Sequence, residues 1–541
     1  MTETTSAGKP LTRSRAVLIC LFAVYAVLTL IGTFSHEIWY DEAQAWNIAR
    51  DNDLAGIIEQ IQFEGHPPLW FVLLHIFAAS GCPVQVMPFI SWTVSAVTMA
   101  LFLWKAPLNP VLKGLVLFSG GSMFYLSVQS RVYCLIALFL VLMAMLYPKR
   151  NDRPLLFGLL VALMANTHSM MSGFIGIMGI FMIIDLFRLW KSSTTRMNIM
   201  RLAGLALSGI GVLCMVLPLL TALNKVGSAP MSLSADSLLT MLIRVFACFP
   251  DITLNAVFDG NGGLMNTELF SVFKLLGALV LFLVYIELRH YRRAFVTALF
   301  FTGFYMIVCC IMWYTLPARA FCFLFVLVFC FWTGKENEAP VCREPKLLSM
   351  DISAAGRKIL EKLWRADQKF DRNFSALLCV FYAATIPMGL FVLGADYFQD
   401  YSQSKNAADF IRENLPEDSV IVVKNEIFSH VGAYLPGYKF YSLNYSEYET
   451  YSFQVKPDGH VAPSREPEEL DYRKSYEDLK DIEHLFLLDF DIQPDNPGEE
   501  MLFKAEGTLL GAGNLPDSNI MIFTYHPDLQ LIPRIEKYQS E

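Results

Sequence analysis

The stretch WYDEAQAWNIARDNDLAGIIEQIQFEGHPPLW, residues 39–70, follows the first apolar segment of the chain, residues 16–34. It combines an acidic pair, Asp41 and Glu42, with a Gly-His-Pro-Pro corner that contains His66. Ionisable groups at membrane depth are costly and usually mark a functional site or pathway. The stretch therefore places candidate functional groups directly beside a predicted membrane span.

The whole chain has the composition of a membrane protein. Of its 541 residues, 54% are hydrophobic and 17% are charged, against about a quarter charged in soluble proteins. Apolar runs near the ~20 residues needed to cross a ~30 Å hydrocarbon core recur up to residue 394. The sequence predicts an α-helical polytopic membrane protein with eleven spans: 16–34, 84–104, 111–128, 132–148, 154–168, 170–187, 202–220, 269–288, 294–316, 320–333 and 375–394.

Charge and hydropathy both change at residue 394. Residues 1–394 carry a net charge of +8, whereas residues 395–541 carry −16 and contain no long apolar run. We predict a membrane domain over 1–394 and a small soluble α/β domain over 395–541, with a helix at 404–414 and strands at 420–423, 440–443, 485–488 and 520–524. The acidic domain argues against a nucleic-acid partner.

The basic residues predict the orientation. With the N-terminus in the cytoplasm, 24 Lys and Arg fall in cytoplasmic segments and five in the opposite loops, as the positive-inside rule requires. We predict a multi-pass protein of a bacterial inner or plasma membrane with an extracytoplasmic C-terminal domain. Six sparse polar residues then reach the non-cytoplasmic face and indicate one pocket there: Asp41, Glu42, His66, Arg131, His168 and Arg319. The long outer loop 221–268 is either a lid over this pocket or a solvated connector.

Each of these residues has a structural and a functional interpretation. Asp41 is either a helix cap, as the first residue of Asp41-x-x-Gln44, or a catalytic base. Arg131 and Arg319 either extend to the interface or bind phosphate, which guanidinium groups hold bidentately. His66 is a candidate hydrogen-bond donor to a phosphate. His168 either belongs to the substrate site or is an interhelical residue with satisfied hydrogen bonds.

A divalent metal ion remains an alternative for the acidic end of the site. His36, Glu37, Asp41, Glu42 and His66 carry suitable ligand types. Their spacing matches no recognised ligand pattern, so no metal ligand or other cofactor is assigned.

Three motifs resemble one family. Asp41-Glu42-Ala43, His66-Pro67-Pro68-Leu69 and Arg131-Val132-Tyr133 are similar to motifs of the protein O-mannosyltransferase-like C-type glycosyltransferases, a group that includes the lipid A aminoarabinose transferases. The resemblance covers roughly residues 16–190. It implies a polyprenyl-phosphate-linked sugar donor and an extracytoplasmic acceptor, with Asp41 at the position of the family's catalytic acid and Glu42, its neighbour, as a second catalytic candidate. It also implies that His66, Arg131 and Tyr133 belong to the substrate site.

The chemistry of such a transfer fits the residues available. A departing phosphate needs no general acid, so one carboxylate is enough to take the proton from an attacking hydroxyl. Direct attack would invert the anomeric centre. We therefore predict an inverting glycosyltransferase that uses a polyprenyl-phosphate sugar, with protein, lipid or polysaccharide as acceptor. A membrane transporter or a flippase for lipid-linked sugars is the alternative, although we find no internal repeat of the kind transporters show.

Overall fold

The structure is a computed structural model. It describes residues 13–64, 66–225, 279, 281–311, 317–338, 353–398, 402, 404–423, 427–443, 446–449, 472–479, 481–490, 503–511 and 520–525. The predicted lid loop lies outside these ranges from residue 226 onward, and so does the first part of the predicted span 269–288.

The membrane part of the chain is helical. Its labelled helices are α1 (Arg13–Ser35), α2 (Tyr40–Asp51), α3 (Leu54–Glu64), α4 (Leu69–Ala78), α5 (Met87–Lys105), α6 (Pro110–Leu117), α7 (Tyr133–Leu146), α8 (Pro154–Ala165), α9 (Ser172–Leu189), α10 (Thr195–Lys225), α11 (Arg292–Ile311), α12 (Pro317–Asn337) and α13 (Ala354–Phe398). Single turns of 3₁₀ helix cover Val84–Val86, Tyr147–Lys149 and Ser169–Met171, and a π-helical turn covers Gly121–Tyr125.

Six helices within the described ranges are long and apolar enough to cross a membrane. They are Arg15–Ser35, Val84–Lys105, Ser169–Leu189, Thr195–Pro218, Ala318–Asn337 and Cys379–Phe398. The predicted spans 132–148 and 154–168 form shorter apolar helices. The prediction of a polytopic α-helical membrane protein is therefore confirmed.

The predicted span 111–128 is wrong as a single helix, because it divides into α6 and the π-helical turn. Three glycines allow close contacts beside this break. A Cβ on Gly121 would lie 2.4 Å from the ring of Phe321 on α12, and one on Gly389 of α13 would lie 2.5 Å from Cα of Gly120. The π-helical turn thus packs against both α12 and α13. Glycine at positions 120 and 121 leaves room for these two contacts.

The core lies around α12. Nearly all of its apolar stretch is buried, and α7 and α11 pack against it. By contrast, α1 and α10 expose most of their apolar residues, as helices that face lipid do. Arg319, in the first turn of α12, is therefore held by a helix whose apolar stretch is almost fully buried.

The acidic pair lies in the first of two short helices, α2 and α3, that follow α1. Asn52 has extended backbone angles and ends α2, and the Asp53 carboxylate accepts a 2.8 Å bond from the Gly56 amide in the first turn of α3. Trp46 of α2 and Ile57 of α3 are buried, whereas Ile58 is 43% exposed. The helix α4 packs against α2.

The C-terminal region contains an α/β fold. Its sheet has the order β3-β2-β1-β4-β6-β5, from β1 (Val420–Val423), β2 (Lys439–Ser442), β3 (Glu447–Tyr448), β4 (Leu485–Phe490), β5 (Phe503–Gly511) and β6 (Ile520–Tyr525). The central strand β1 pairs in parallel with β2 and β4, and the outer pairs are antiparallel. The helices are α14 (Ser404–Asn414), α15 (Ile427–Tyr434) and α16 (Tyr472–Leu479). The predicted helix and four strands are found, whereas β3 and β5 were not predicted.

The C-terminal region contacts the segment that carries Asp41. Its helix α15 packs on α2. The Ile38 amide donates a 2.9 Å bond to the Tyr434 hydroxyl, and Arg50 donates one of 3.1 Å to the carbonyl of Gly432. The last membrane helix, α13, continues to Phe398, four residues past the predicted domain boundary at 394.

Candidate active site

Asp41 lies in the first turn of α2, where the chain turns after α1. The helix begins at Tyr40, so Asp41 is its second residue and does not cap it. The capping interpretation of Asp41 is therefore wrong. Instead Glu42 has that role, because its carboxylate accepts a 3.1 Å bond from the Trp39 amide just before the helix.

Asp41 faces a guanidinium group. Arg131, in the turn before α7, donates from Nη1 to Oδ2 of Asp41. The side chains of Arg131 and Asp41 are 16% and 36% exposed, so the pair is accessible to a ligand. Burial opposes the charged form of Asp41, but Arg131, His66 and Arg319 lower the pKa of its carboxyl group below the usual value. Asp41 is therefore ionised at neutral pH.

The two predicted histidines and Tyr133 form a row of rings beside this pair. The rings of His66 and His168 meet edge to face with centroids 5.7 Å apart. His168 also stacks on Tyr133 at 5.9 Å, and the Arg131 guanidinium lies 5.8 Å from the centre of the Tyr133 ring, which is within the range of a cation–π contact.

His168 is held as a neutral ring. Its Nδ1 accepts a 3.1 Å bond from the Met170 amide, so the ring proton is on Nε2. Burial lowers the pKa of His168 far below its usual value, and the charges of His66, Arg319 and Arg131 lower it further. His168 therefore contributes a neutral ring to this row.

Arg319 completes the positive side of the site. It lies in the first turn of α12 and is 7% exposed. Its charge acts on both Asp41 and His168. Two arginines and His66 thus surround one carboxylate, which leaves an excess of positive charge suited to an anion such as a phosphate.

Glu42 does not share this pocket. Its side chain is fully buried and contacts Nε2 of His36 at 3.1 Å, and it accepts a hydrogen bond from the Ser130 amide. Neighbouring residues of a helix point about 100° apart, so Asp41 and Glu42 face different surroundings. The catalytic role of Glu42 stays a prediction, and its contacts in the structure are those of a buried residue that binds His36 and the Ser130 amide.

Sequence reasoning missed one residue of this region, Asp396. Its carboxylate lies 3.0 Å from Nδ1 of His36, on the side of the ring opposite Glu42. The signal was available, because Asp396 is an acidic residue at the outer end of the last predicted span.

The candidate metal ligands are divided between two places. His36 and Glu42 contact each other, whereas Asp41 contacts Arg131 and His66 contacts His168. Across the described ranges, no group of three His, Cys, Asp or Glu side chains is arranged to hold a metal ion.

The fold has relatives among solved structures. The chain is similar to ArnT from Cupriavidus metallidurans in the apo state, with a TM-score of 0.50 and 12% identity over 95% of this chain and 99% of that one. The same protein bound to undecaprenyl phosphate gives a TM-score of 0.51, with the same identity and coverage. No family model matches the sequence, and no curated protein matches it. Over nearly its whole length, the chain therefore has a fold similar to that of ArnT.

Proposed function

We propose that the protein is an inverting glycosyltransferase that moves a sugar from a polyprenyl-phosphate donor to a hydroxyl group of an extracytoplasmic acceptor. The observation that carries this proposal is the single ionised carboxylate of Asp41 among Arg131, Arg319 and His66. The acceptor is a protein, a lipid or a polysaccharide. The ArnT structure with bound undecaprenyl phosphate supports a lipid phosphate as the donor's anchor.

In the proposed reaction Asp41 is the general base. It takes the proton of the acceptor hydroxyl while that oxygen attacks the anomeric carbon. The bond between this carbon and the donor phosphate breaks, and the phosphate leaves with the electron pair. Attack from the face opposite the leaving group inverts the anomeric centre.

The cationic side chains bind the leaving phosphate. The guanidinium groups of Arg131 and Arg319 stabilise the charge that grows on the phosphate oxygens. Arg131 contacts Asp41 in the present structure, so the donor phosphate would take over part of this contact and leave Asp41 open to the acceptor. Tyr133 and His168 form the wall that holds the Arg131 side chain.

The buried position of Glu42 favours this reaction over sugar hydrolysis. Glycosidases generally place two carboxyl groups across the scissile bond. Here the neighbouring carboxylate is fully buried against His36. One base and a phosphate site are the requirements of transfer from a lipid phosphate.

Further parts of the proposal follow from the sequence. The membrane region 1–394 carries the catalytic site, and the acidic region 395–541 forms a separate extracytoplasmic domain. The positive-inside rule gives this arrangement with the N-terminus in the cytoplasm, and we propose a bacterial inner or plasma membrane as the location.

The test is lipid mass spectrometry of cells that carry the wild type or Asp41→Asn at matched protein levels. The Asp41→Asn variant should accumulate one polyprenyl-phosphate sugar, because the donor is made and bound but not used. The matched control is Asp51→Asn, an identical change at the other end of α2, where Asp51 pairs with Arg50. An unchanged profile in folded Asp41→Asn, with the donor pathway active, would overturn the proposal and favour a transporter.

A further inference from the structure

Three buried titratable side chains lie behind the candidate site. His36 follows the end of α1, Glu42 is in α2, and Asp396 is near the end of α13. The His36 ring bridges the two carboxylates, with Nε2 3.1 Å from Glu42 and Nδ1 3.0 Å from Asp396. All three side chains have no exposed surface. We call these three residues the carboxylate–imidazole brace.

Glu42 joins the brace to both halves of the site. Its carboxylate accepts the Trp39 amide at 3.1 Å, two residues before Asp41. It also accepts the amide of Ser130, the residue before Arg131. One buried carboxylate therefore fixes the backbone on either side of the Asp41–Arg131 pair.

We infer that Glu42 is a positioning residue that sets the separation of Asp41 and Arg131, and that His36 and Asp396 hold it in place. This inference rests on the proposed function and deepens it. A displacement of about 1 Å in a catalytic group can cost about a hundredfold in rate, so a fixed backbone on both sides of the pair has a direct effect on transfer.

The hydrogen bonds of the brace require a charged ring. Each carboxylate accepts from one ring nitrogen, and only the imidazolium form has a proton on both. Burial disfavours this charge, but Asp396 and Glu42 raise the pKa of His36 well above its usual value. Because the folded-state pKa is raised, the stabilisation is complete at low pH and is lost as the pH rises through the folded-state pKa.

Two titratable side chains outside the brace interact electrostatically with Glu42, and an aromatic ring contacts His36. Arg131 lies near Glu42, and Tyr434 of α15 faces both Glu42 and Glu37. The Phe124 ring meets His36 edge to face at 5.9 Å and excludes water from that side. Asp396 connects the brace to the end of the last membrane helix, just before the C-terminal α/β region.

The experiment uses two measurements on the full-length protein. Hydrogen exchange gives the protection of the Ser130 amide relative to its intrinsic exchange rate, and a binding assay gives the affinity for undecaprenyl phosphate. In His36→Gln the single NH2 group of the Gln side chain replaces two ring nitrogens, so it cannot serve the buried carboxylates of both Glu42 and Asp396. We expect Ser130 protection and undecaprenyl phosphate affinity each to fall about tenfold, the effect of losing one buried charge-assisted hydrogen bond. In the double variant His36→Gln with Asp396→Asn, the Gln amide can donate to Glu42 and accept from the Asn amide. We expect Ser130 protection to return to within about threefold of wild type.

A second variant separates positioning from catalysis and does not depend on His36→Gln folding. The Trp39 and Ser130 amides reach different oxygens of Glu42, so in Glu42→Gln the side-chain oxygen keeps one of these two bonds, and the NH2 group can donate to a neutral His36. We expect a fall in sugar transfer of about tenfold, from one lost hydrogen bond, whereas loss of a reacting carboxylate costs about a hundredfold or more. The control is Asp409→Asn, at an exposed pair with Arg412.

A pH series gives an independent readout. Wild-type Ser130 protection should fall at alkaline pH as His36 loses its second proton. In Asp396→Asn it should stay flat, because a neutral ring can donate to Glu42 and accept from the new amide.

The results overturn the inference if folded His36→Gln keeps wild-type protection, if Glu42→Gln abolishes transfer with Ser130 still protected, or if the two pH series coincide. Ser130 protection needs no substrate. If wild-type protein binds no undecaprenyl phosphate, the proposed function fails, while the protection data still decide whether the brace exists.

Discussion

Arg131→Gln tests the phosphate site most directly. The guanidinium is 16% exposed and contacts Asp41 at the accessible side of the site. At about 4 Å, two unit charges interact by about 1 kcal/mol in water and about 4 kcal/mol at a protein surface. Because this site is partly open to solvent and Arg319 remains in it, we expect a loss of about 2 kcal/mol. That loss corresponds to about thirtyfold weaker binding of undecaprenyl phosphate.

Charge and geometry at this position can be separated with a second substitution. Arg131→Lys keeps the charge but removes the planar fork that binds two phosphate oxygens. We expect a loss of about 1 kcal/mol, or about fivefold in affinity, which places the variant between wild type and Arg131→Gln.

The assay is equilibrium binding of radiolabelled undecaprenyl phosphate to protein in lipid nanodiscs. Arg50→Gln is the matched control, since Arg50 is paired with Asp51 at the far end of α2, and its affinity should stay within about twofold of wild type. The reasoning is refuted if Arg131→Gln binds as tightly as wild type while Asp41→Asn still blocks transfer. Arg131 would then act on Asp41 alone.

Two further predictions concern the packing that supports the site. A Cβ on Gly158 would lie 2.1 Å from the carbonyl oxygen of Gly204, so Gly158→Leu should separate α8 from α10 and lower the melting temperature by several degrees. Gly179→Leu should not lower it, because within the described ranges no atom beyond the local backbone of α9 lies within 4 Å of a Cβ at Gly179. Tyr434→Phe removes the acceptor of the buried Ile38 amide. It should cost about 1–3 kcal/mol of stability and speed hydrogen exchange at residues 38–46, and wild-type exchange there would contradict it.

The convergence of the sparse polar residues on one site could be predicted, because the prediction needs only the number of apolar segments and the positions of the basic residues. Asp41, His66, Arg131 and Arg319 each lie at or near the end of an apolar segment, and counting segments and basic residues assigns those ends to one side. The structure brings the four within electrostatic reach of one another. Their shared face was therefore predictable even though segment 111–128 is not a single helix.

The roles of Asp41 and Glu42 could not be separated from the sequence. Both are acidic and adjacent, and either could have faced the pocket. The sequence pattern suggested Asp41 as the cap, but the helix begins one residue before it and Glu42 closes the first turn. The deciding factor is which side of the helix meets the pocket, and that depends on the packing of α2 between α4 and α15.

The sequence does not show that α1 and α13, the first and last of the membrane helices described above, lie next to each other. A Cβ on Gly32 of α1 would lie 2.5 Å from Leu393 of α13, so these helices approach closely at their outer ends. This approach brings Asp396 to His36, a contact between residues 360 positions apart. No local pattern encodes such a pairing, because each residue alone reads as an ordinary polar group at a membrane surface. The role we infer for Glu42 is thus fixed by helix packing, which composition and spacing do not contain.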